Sequence, residues 1–146
     1  MIEWDKNNLP GINFSCIDPL PPTDFLPESF DLIFGISIFT DLSKESHFLW
    51  INELHRVLKQ NSVLLFTTHG SYYKNKLTNH ELKEYNAGNI LEQKYAKEGL
   101  RVYCSFHPRQ FIHKLIKGKF EILSYYNASE FPDLIGSQDK WVLRKI

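Results

Sequence analysis

His69 stands at the end of an apolar run, SVLLFTT, and is followed by Gly70, Ser71, Tyr72 and Tyr73. An imidazole at that place can take a proton from a substrate hydroxyl or amine, and the two phenols beside it can line a pocket. A hydrogen-bonded structural histidine and tyrosines that only cover a core edge use the same pattern. Asp41, after the run FDLIFGISIF, offers a carboxylate that serves either as a base near a substrate or as a helix cap. The remaining histidines, at 47, 55, 80, 107 and 113, show no metal-ligand spacing. His80-Glu81-Leu82-Lys83-Glu84 begins like a zinc-protease motif, but glutamate occupies the place of the second histidine. Neither a nucleophile elbow nor a phosphate-binding loop is present, and no metal is expected.

The elements that must position these groups lie between Phe30 and Gly70. Two continuous runs rich in Ile, Leu, Val and Phe read as strands buried on both faces, the habit of a parallel sheet. Between them Trp50, Ile51, Leu54, Val57 and Leu58 recur at helical spacing, while Glu45, Asn52, Glu53, Arg56 and Lys59 point elsewhere. Asp41 or Ser43 caps this helix, and Asn61 is suited to a left-handed turn into the second strand. A right-handed βαβ crossover brings residues 38–42 and 67–70 to one edge, where open α/β sheets bind ligands.

Around this unit, residues 2–8 read as the end of a helix with Trp4 as its packing residue. Residues 12–17 (INFSCI) read as a short strand, and 18–29 as a rigid, proline-rich loop. Residues 71–99 are polar and rich in Tyr, Lys and Asn, an excursion over the ligand edge with a Thr78-x-x-Glu81 capping box. A strand over 102–106 and a helix opened by Pro108 follow. Residues 120–126 and 140–146 form the last strands, paired antiparallel because their connection has no room for a crossover helix.

A chain of 146 residues is expected to form a single domain. Seventeen basic and seventeen acidic residues cancel, so composition gives no support to a nucleic-acid or membrane-surface partner. Cys16 and Cys104 are too few and too far apart for a disulfide framework. With no run approaching about 18 apolar residues, a cytoplasmic protein with reduced thiols is expected.

The ordered pieces resemble the C-terminal two-thirds of a class I S-adenosylmethionine-dependent methyltransferase. They are Asp18, Phe30-Asp31-Leu32-Ile33, Ser37-Ile38-Phe39-Thr40, Trp50-Ile51-Asn52-Glu53-Leu54-His55-Arg56-Val57-Leu58-Lys59, Thr67-Thr68-His69-Gly70 and Gln138-Asp139. The resemblance implies a partial Rossmann-like α/β sheet, mostly parallel with a C-terminal antiparallel hairpin and without the first two strands. It implies methyl transfer from S-adenosylmethionine to O or N of a small molecule. Asp18 would accept from the adenine amino group, Gly35, Ile36 and Ser37 would approach the cofactor, His69 would act on the acceptor's proton, and Asp41, Tyr72 and Tyr73 would line the substrate.

The departures from that family are specific. No glycine-rich loop of the G-x-G-x-G type is present, Asp41 replaces a usual histidine, and Gln60-Asn61-Ser62 replaces Pro-Gly-Gly. In the family's strand order, 3-2-1-4-5-7-6, loss of two strands leaves a gap of roughly 10 to 15 Å beside the Phe30 strand. Either the 12–17 strand slides in there, or it is loose, or another chain completes the sheet. The exposed flank predicts self-association or a partner chain. A non-catalytic remnant acting as a binding or assembly module is the alternative reading.

Overall fold

The two apolar runs pair side by side and in the same direction. In the computed structural model, which describes residues 2–94, 103–131 and 136–146, β1 (Phe30–Gly35) and β2 (Leu58–Thr68) are parallel neighbours, with Leu32 opposite Val63 and Gly35 opposite Phe66. The other elements are α1 (Ile2–Asn8), α2 (Lys44–Val57), α3 (Asn79–Asn86), β3 (Leu91–Lys94), β4 (Tyr103–Phe106), α4 (Arg109–Ile116), β5 (Phe120–Tyr126) and β6 (Asp139–Lys145). The main sheet has the order β1-β2-β6-β5, with β6 antiparallel to both of its neighbours. β3 and β4 form a separate antiparallel pair. This order is the 4-5-7-6 half of the expected sheet, and the antiparallel C-terminal hairpin is present as expected.

Local signals account for the elements. Ser43, not Asp41, caps α2, its hydroxyl accepting from the Ser46 amide at 3.1 Å. Thr78 and Glu81 complete the capping box of α3. Asn61 takes the left-handed conformation, φ 63°, but within a bulged start of β2 where a free-standing turn was expected. The strand expected over 102–106 is β4, residue 102 lying outside the described residues, as does part of the 71–99 excursion.

α2 and α4 cover one face of the sheet. Ile51, Ile112, Leu115 and Ile116 pack there on Leu64, Phe66, Trp141 and Leu143, all nearly or fully buried. The opposite face carries no comparable layer among the described residues. On it Phe34, Leu65 and Val142 stand in one row and Leu32 and Val63 in the next, with Leu32 57% and Phe34 69% exposed. The expectation that the Phe30 strand is buried on both faces is therefore corrected: β1 is an edge strand, helix-covered on one side only.

Two further expectations are corrected. Residues 12–17 form no strand; Ile12 is 56% exposed, and Ile17 lies in a groove with Ile33, Phe34, Trp50 and Leu54. The cause is the strap that follows. Trp50 Nε1 donates to the Pro19 carbonyl at 3.2 Å, and Glu53 accepts from the Thr23 amide at 2.8 Å and hydroxyl at 2.5 Å. Arg56 pairs with Glu53 at 2.6 Å and donates to the Phe25 carbonyl at 2.9 Å. Three residues on one face of α2 thus draw the proline-rich loop over the helix and away from the outer edge of β1. Glu53, off the apolar face of α2, is buried by this strap. Trp4, expected to pack, is 63% exposed, and α1 buries no residue.

The Arg56 guanidinium holds the Glu53 carboxyl down to about 2. Glu53→Gln keeps an acceptor for Thr23 but removes the charge facing Arg56, and should cost about 1–3 kcal/mol. A lower urea midpoint and faster proteolytic cleavage within residues 18–25 are expected; an unchanged midpoint contradicts the strap.

Candidate functional site

The ends of three strands meet at one rim. Just beyond β1, Ser37 adopts φ 58°, a left-handed backbone that a residue with a side chain seldom keeps without outside support. The support is a ring of side chains. The Ser37 amide donates to Thr67 Oγ1 at 2.9 Å, the Thr67 hydroxyl donates to Gln138 Oε1 at 2.5 Å, and Gln138 Nε2 donates to Ser37 Oγ at 2.9 Å. Thr67 is the penultimate residue of β2 and Gln138 precedes β6, so one network locks three strand ends. Thr67 is fully buried and Gln138 nearly so. Sequence reasoning picked out Ser37 as a site residue and quoted Thr67 and Gln138 only as pieces of the resemblance, with no role assigned to either.

A side chain at Gly35 would meet only Ile38, at an ordinary 3.7 Å, so packing does not demand glycine there. Ile36 is partly exposed. Asp18 borders a shallow hollow of about 250 Å³ with Cys16, Pro22 and Thr23. Ile17 lines both that hollow and an apolar groove of about 290 Å³ containing Gly35, Ile38, Leu42 and Trp50. Asp18 and Gly35 therefore border adjoining hollows. An exposed carboxylate, open backbone at Gly35 and the Ser37 hydroxyl fit one side of a nucleotide. They do not fit the whole of one, since the Ser37 amide is already spent on Thr67.

His69 lies between the rim and the β3-β4 pair. Its Nδ1 is 3.3 Å from the Ser105 carbonyl and 3.3 Å from Cys104 Sγ, and its ring packs 4.4 Å from Tyr73. Burial lowers its pKa to about 4, aided by nearby Lys76, so the imidazole is neutral. The Tyr73 hydroxyl donates to the Gly136 carbonyl at 2.7 Å, while Tyr72 is exposed. The Asp41 carboxylate accepts from Thr40 at 3.2 Å, in the short helical turn Phe39–Asp41.

Below this rim a second histidine pair ties α2 to the start of α4. His47 Nδ1 donates to the Ser43 carbonyl at 2.6 Å, which leaves His47 Nε2 as an acceptor for His107 Nε2–H at 2.8 Å. His107 Nδ1 is then a buried lone pair with no partner. Burial, reinforced by His47, pushes the His107 pKa well below the usual histidine value.

Sequence reasoning missed a polar cleft of about 400 Å³ at the β5-β6 side of the rim, bordered by Lys74, Tyr85, Arg109, Tyr125 and Asp139. Asp139 is buried, accepting from the Tyr125 hydroxyl at 2.7 Å and the Ala128 amide at 3.0 Å. Burial raises the pKa of both Asp139 and Tyr125. Gly70 is required here, because any side chain would collide with the Asp139 carboxylate. Among the described residues no group of three or more His, Cys, Asp or Glu is placed to hold a metal ion. No described helix is long and apolar enough to cross a membrane.

No family model matches this chain, and no curated protein sequence matches it. Solved structures do. A protein described as a SAM-dependent methyltransferase from Methanosarcina mazei superposes with TM-score 0.57 at 16% identity, over 85% of this chain and 62% of its own. A Pyrococcus horikoshii OT3 protein gives 0.63 at 14% identity, over 98% and 63%. The MccD protein gives 0.50 at 10% identity, over 86% and 64%. The fold is thus methyltransferase-like, and this chain spans less than two-thirds of the length of each of these structures.

The neutral imidazoles, His107 buried and His69 half-buried, make stability depend on pH. Below about 6.5 the unfolded chain binds protons that folded His107 and His69 refuse, so stability falls as pH drops, for His69 until about pH 4. The slope should reach about 1.4 kcal/mol per pH unit for each imidazole. Urea midpoints measured between pH 7 and pH 4.5 should decline; a flat profile contradicts the neutral pair.

Proposed function

We propose that this chain is the C-terminal part of an S-adenosylmethionine-dependent methyltransferase unit that methylates O or N of a small molecule. The observation that carries the reading is the rim, where β1 and β2 end side by side and Ser37 is held left-handed beside Gly35. S-adenosylmethionine, when bound, supplies the electrophilic methyl group. Asp18 accepts from the adenine amino group, the bare backbone at Gly35 and Ile36 permits close approach, and the Ser37 hydroxyl donates. Asp41, Tyr72 and Tyr73 line the acceptor. His69, neutral and weakly basic, orients the acceptor's polar hydrogen and takes its proton late. Positioning therefore supplies most of the acceleration. The free thiols Cys16 and Cys104 accord with a cytoplasmic setting.

A second reading, a non-catalytic assembly module, is favoured by one observation. The uncovered row Phe34, Leu65 and Val142 continues to an open β1 edge, which offers both apolar surface and unpaired backbone to a second copy or a partner chain.

Two experiments separate the readings. Calorimetric titration with S-adenosylhomocysteine should give micromolar binding that Asp18→Ala weakens about tenfold or more; absent or millimolar binding by the lone chain opposes catalysis. Light scattering should show mass rising above the monomer with concentration, and Leu32→Lys with Phe34→Lys should abolish that rise. A strict monomer at all concentrations contradicts association through this flank.

A further inference from the structure

The polar cleft at the β5-β6 side has a donor surplus that the fold leaves unspent. Lys74 reaches only the Asn86 side-chain oxygen, at 3.1 Å, and the face of Tyr85, 5.2 Å from its centroid. Arg109 lies over Tyr125 at 4.7 Å and spends its Nε on His113 at 3.3 Å. Among the described residues neither cation forms a salt bridge, although the Arg109 charge acts on the Asp139 carboxyl from a distance, and the terminal guanidinium nitrogens of Arg109 have no acceptor. Two acids also border the cleft: Asp139 accepts from Tyr125 and Ala128, and Glu130 accepts at Oε1 from Asn127 at 2.9 Å.

Its walls also contain apolar surface. Tyr126 and Phe131 stack with centroids 4.7 Å apart, and the volume of about 400 Å³ falls within the range of small-molecule sites. Arg109 and Tyr125 are ordered from below, since Tyr125 rests 4.2 Å from the buried Trp141 and is bonded to Asp139. A guanidinium held over a fixed ring, its terminal nitrogens without an acceptor among the described residues, has a fork that matches a carboxylate in two-point geometry.

We propose that this cleft binds a small-molecule carboxylate, with Arg109 and Lys74 holding its oxygens and the Tyr126–Phe131 pair contacting its apolar body. The site shares the rim with the proposed methyl-transfer site but has its own lining, and binding here does not depend on the nucleotide. The ligand's carboxylate stays ionised, and the desolvated Asp139 beneath it remains tied to its own donors.

The test is calorimetry on the full chain with benzoate as probe, in the absence of any nucleotide. Benzoate should bind, benzamide should bind at least about tenfold more weakly, and Arg109→Gln should weaken benzoate at least about tenfold. Lys74→Gln should weaken it several-fold. Arg109→Lys, which keeps the charge and loses the fork, should fall between wild type and Arg109→Gln and keeps the proposal testable if the glutamine variant misfolds. Equal binding of benzoate and benzamide, no effect of either Arg109 variant, no benzoate binding, or tighter binding of inorganic phosphate than of benzoate would overturn it. Failure here leaves the S-adenosylhomocysteine result standing, and failure there leaves this one standing.

Discussion

A sheet buried on one face only is the constraint from which the other features follow. β2 and β6 lie in the middle of the four strands and carry the largest fully buried side chains, Trp141, Phe66, Leu64 and Leu143, against α2 and α4. Apolar burial on that side supplies the driving force for the fold. The other side gains much less, because Phe34 is exposed and Leu65 and Val142 are only half-buried. The edge strand β1 is consequently held by one neighbour and one helix.

Polar groups do at the rim what apolar packing does beneath it. Thr67, Gln138 and Ser37 satisfy one another where three strands end, and they fix a left-handed serine that local preference would not keep. Thr68 does the same on the inner face, accepting from Trp141 Nε1 at 3.0 Å. Such networks are costly when broken inside a protein, since each orphaned group loses water without gaining a partner. The rim is therefore stiff at Ser37, beside the apolar groove that contains Gly35, and at Asp139, in the wall of the polar cleft. His69 stands at the same rim, its Nδ1 facing Ser105 and Cys104 and its ring packed on Tyr73.

Much of this was legible in the residues. The parallel β1-β2 pair, the amphipathic α2, the capping box at Thr78 and the C-terminal antiparallel hairpin all follow from local periodicity and end signals, which burial then reinforces. What could not be read were contacts between distant segments. Spacing placed Glu53 off the apolar face of α2, but it does not reveal a loop from thirty positions earlier crossing above it. Residues 12–17 alternate like a strand, yet the Trp50, Glu53 and Arg56 strap decides where they run. Arg109 and Lys74 carry no motif; they face a common cleft only because α4 and the turn Ser71–Lys76 meet at the rim.

The claim on which the account rests is that β1 is the open margin of a half-covered sheet. Amide hydrogen exchange followed by NMR on dilute, monomeric chain tests it most directly. Amides of β2 and β6 should exchange only through global unfolding, whereas in β1 alternate amides, those pointing away from β2, should exchange nearly as fast as in an unfolded peptide. Uniform protection along the whole of β1 in the monomer would mean that its outer edge is already paired, and would contradict the account.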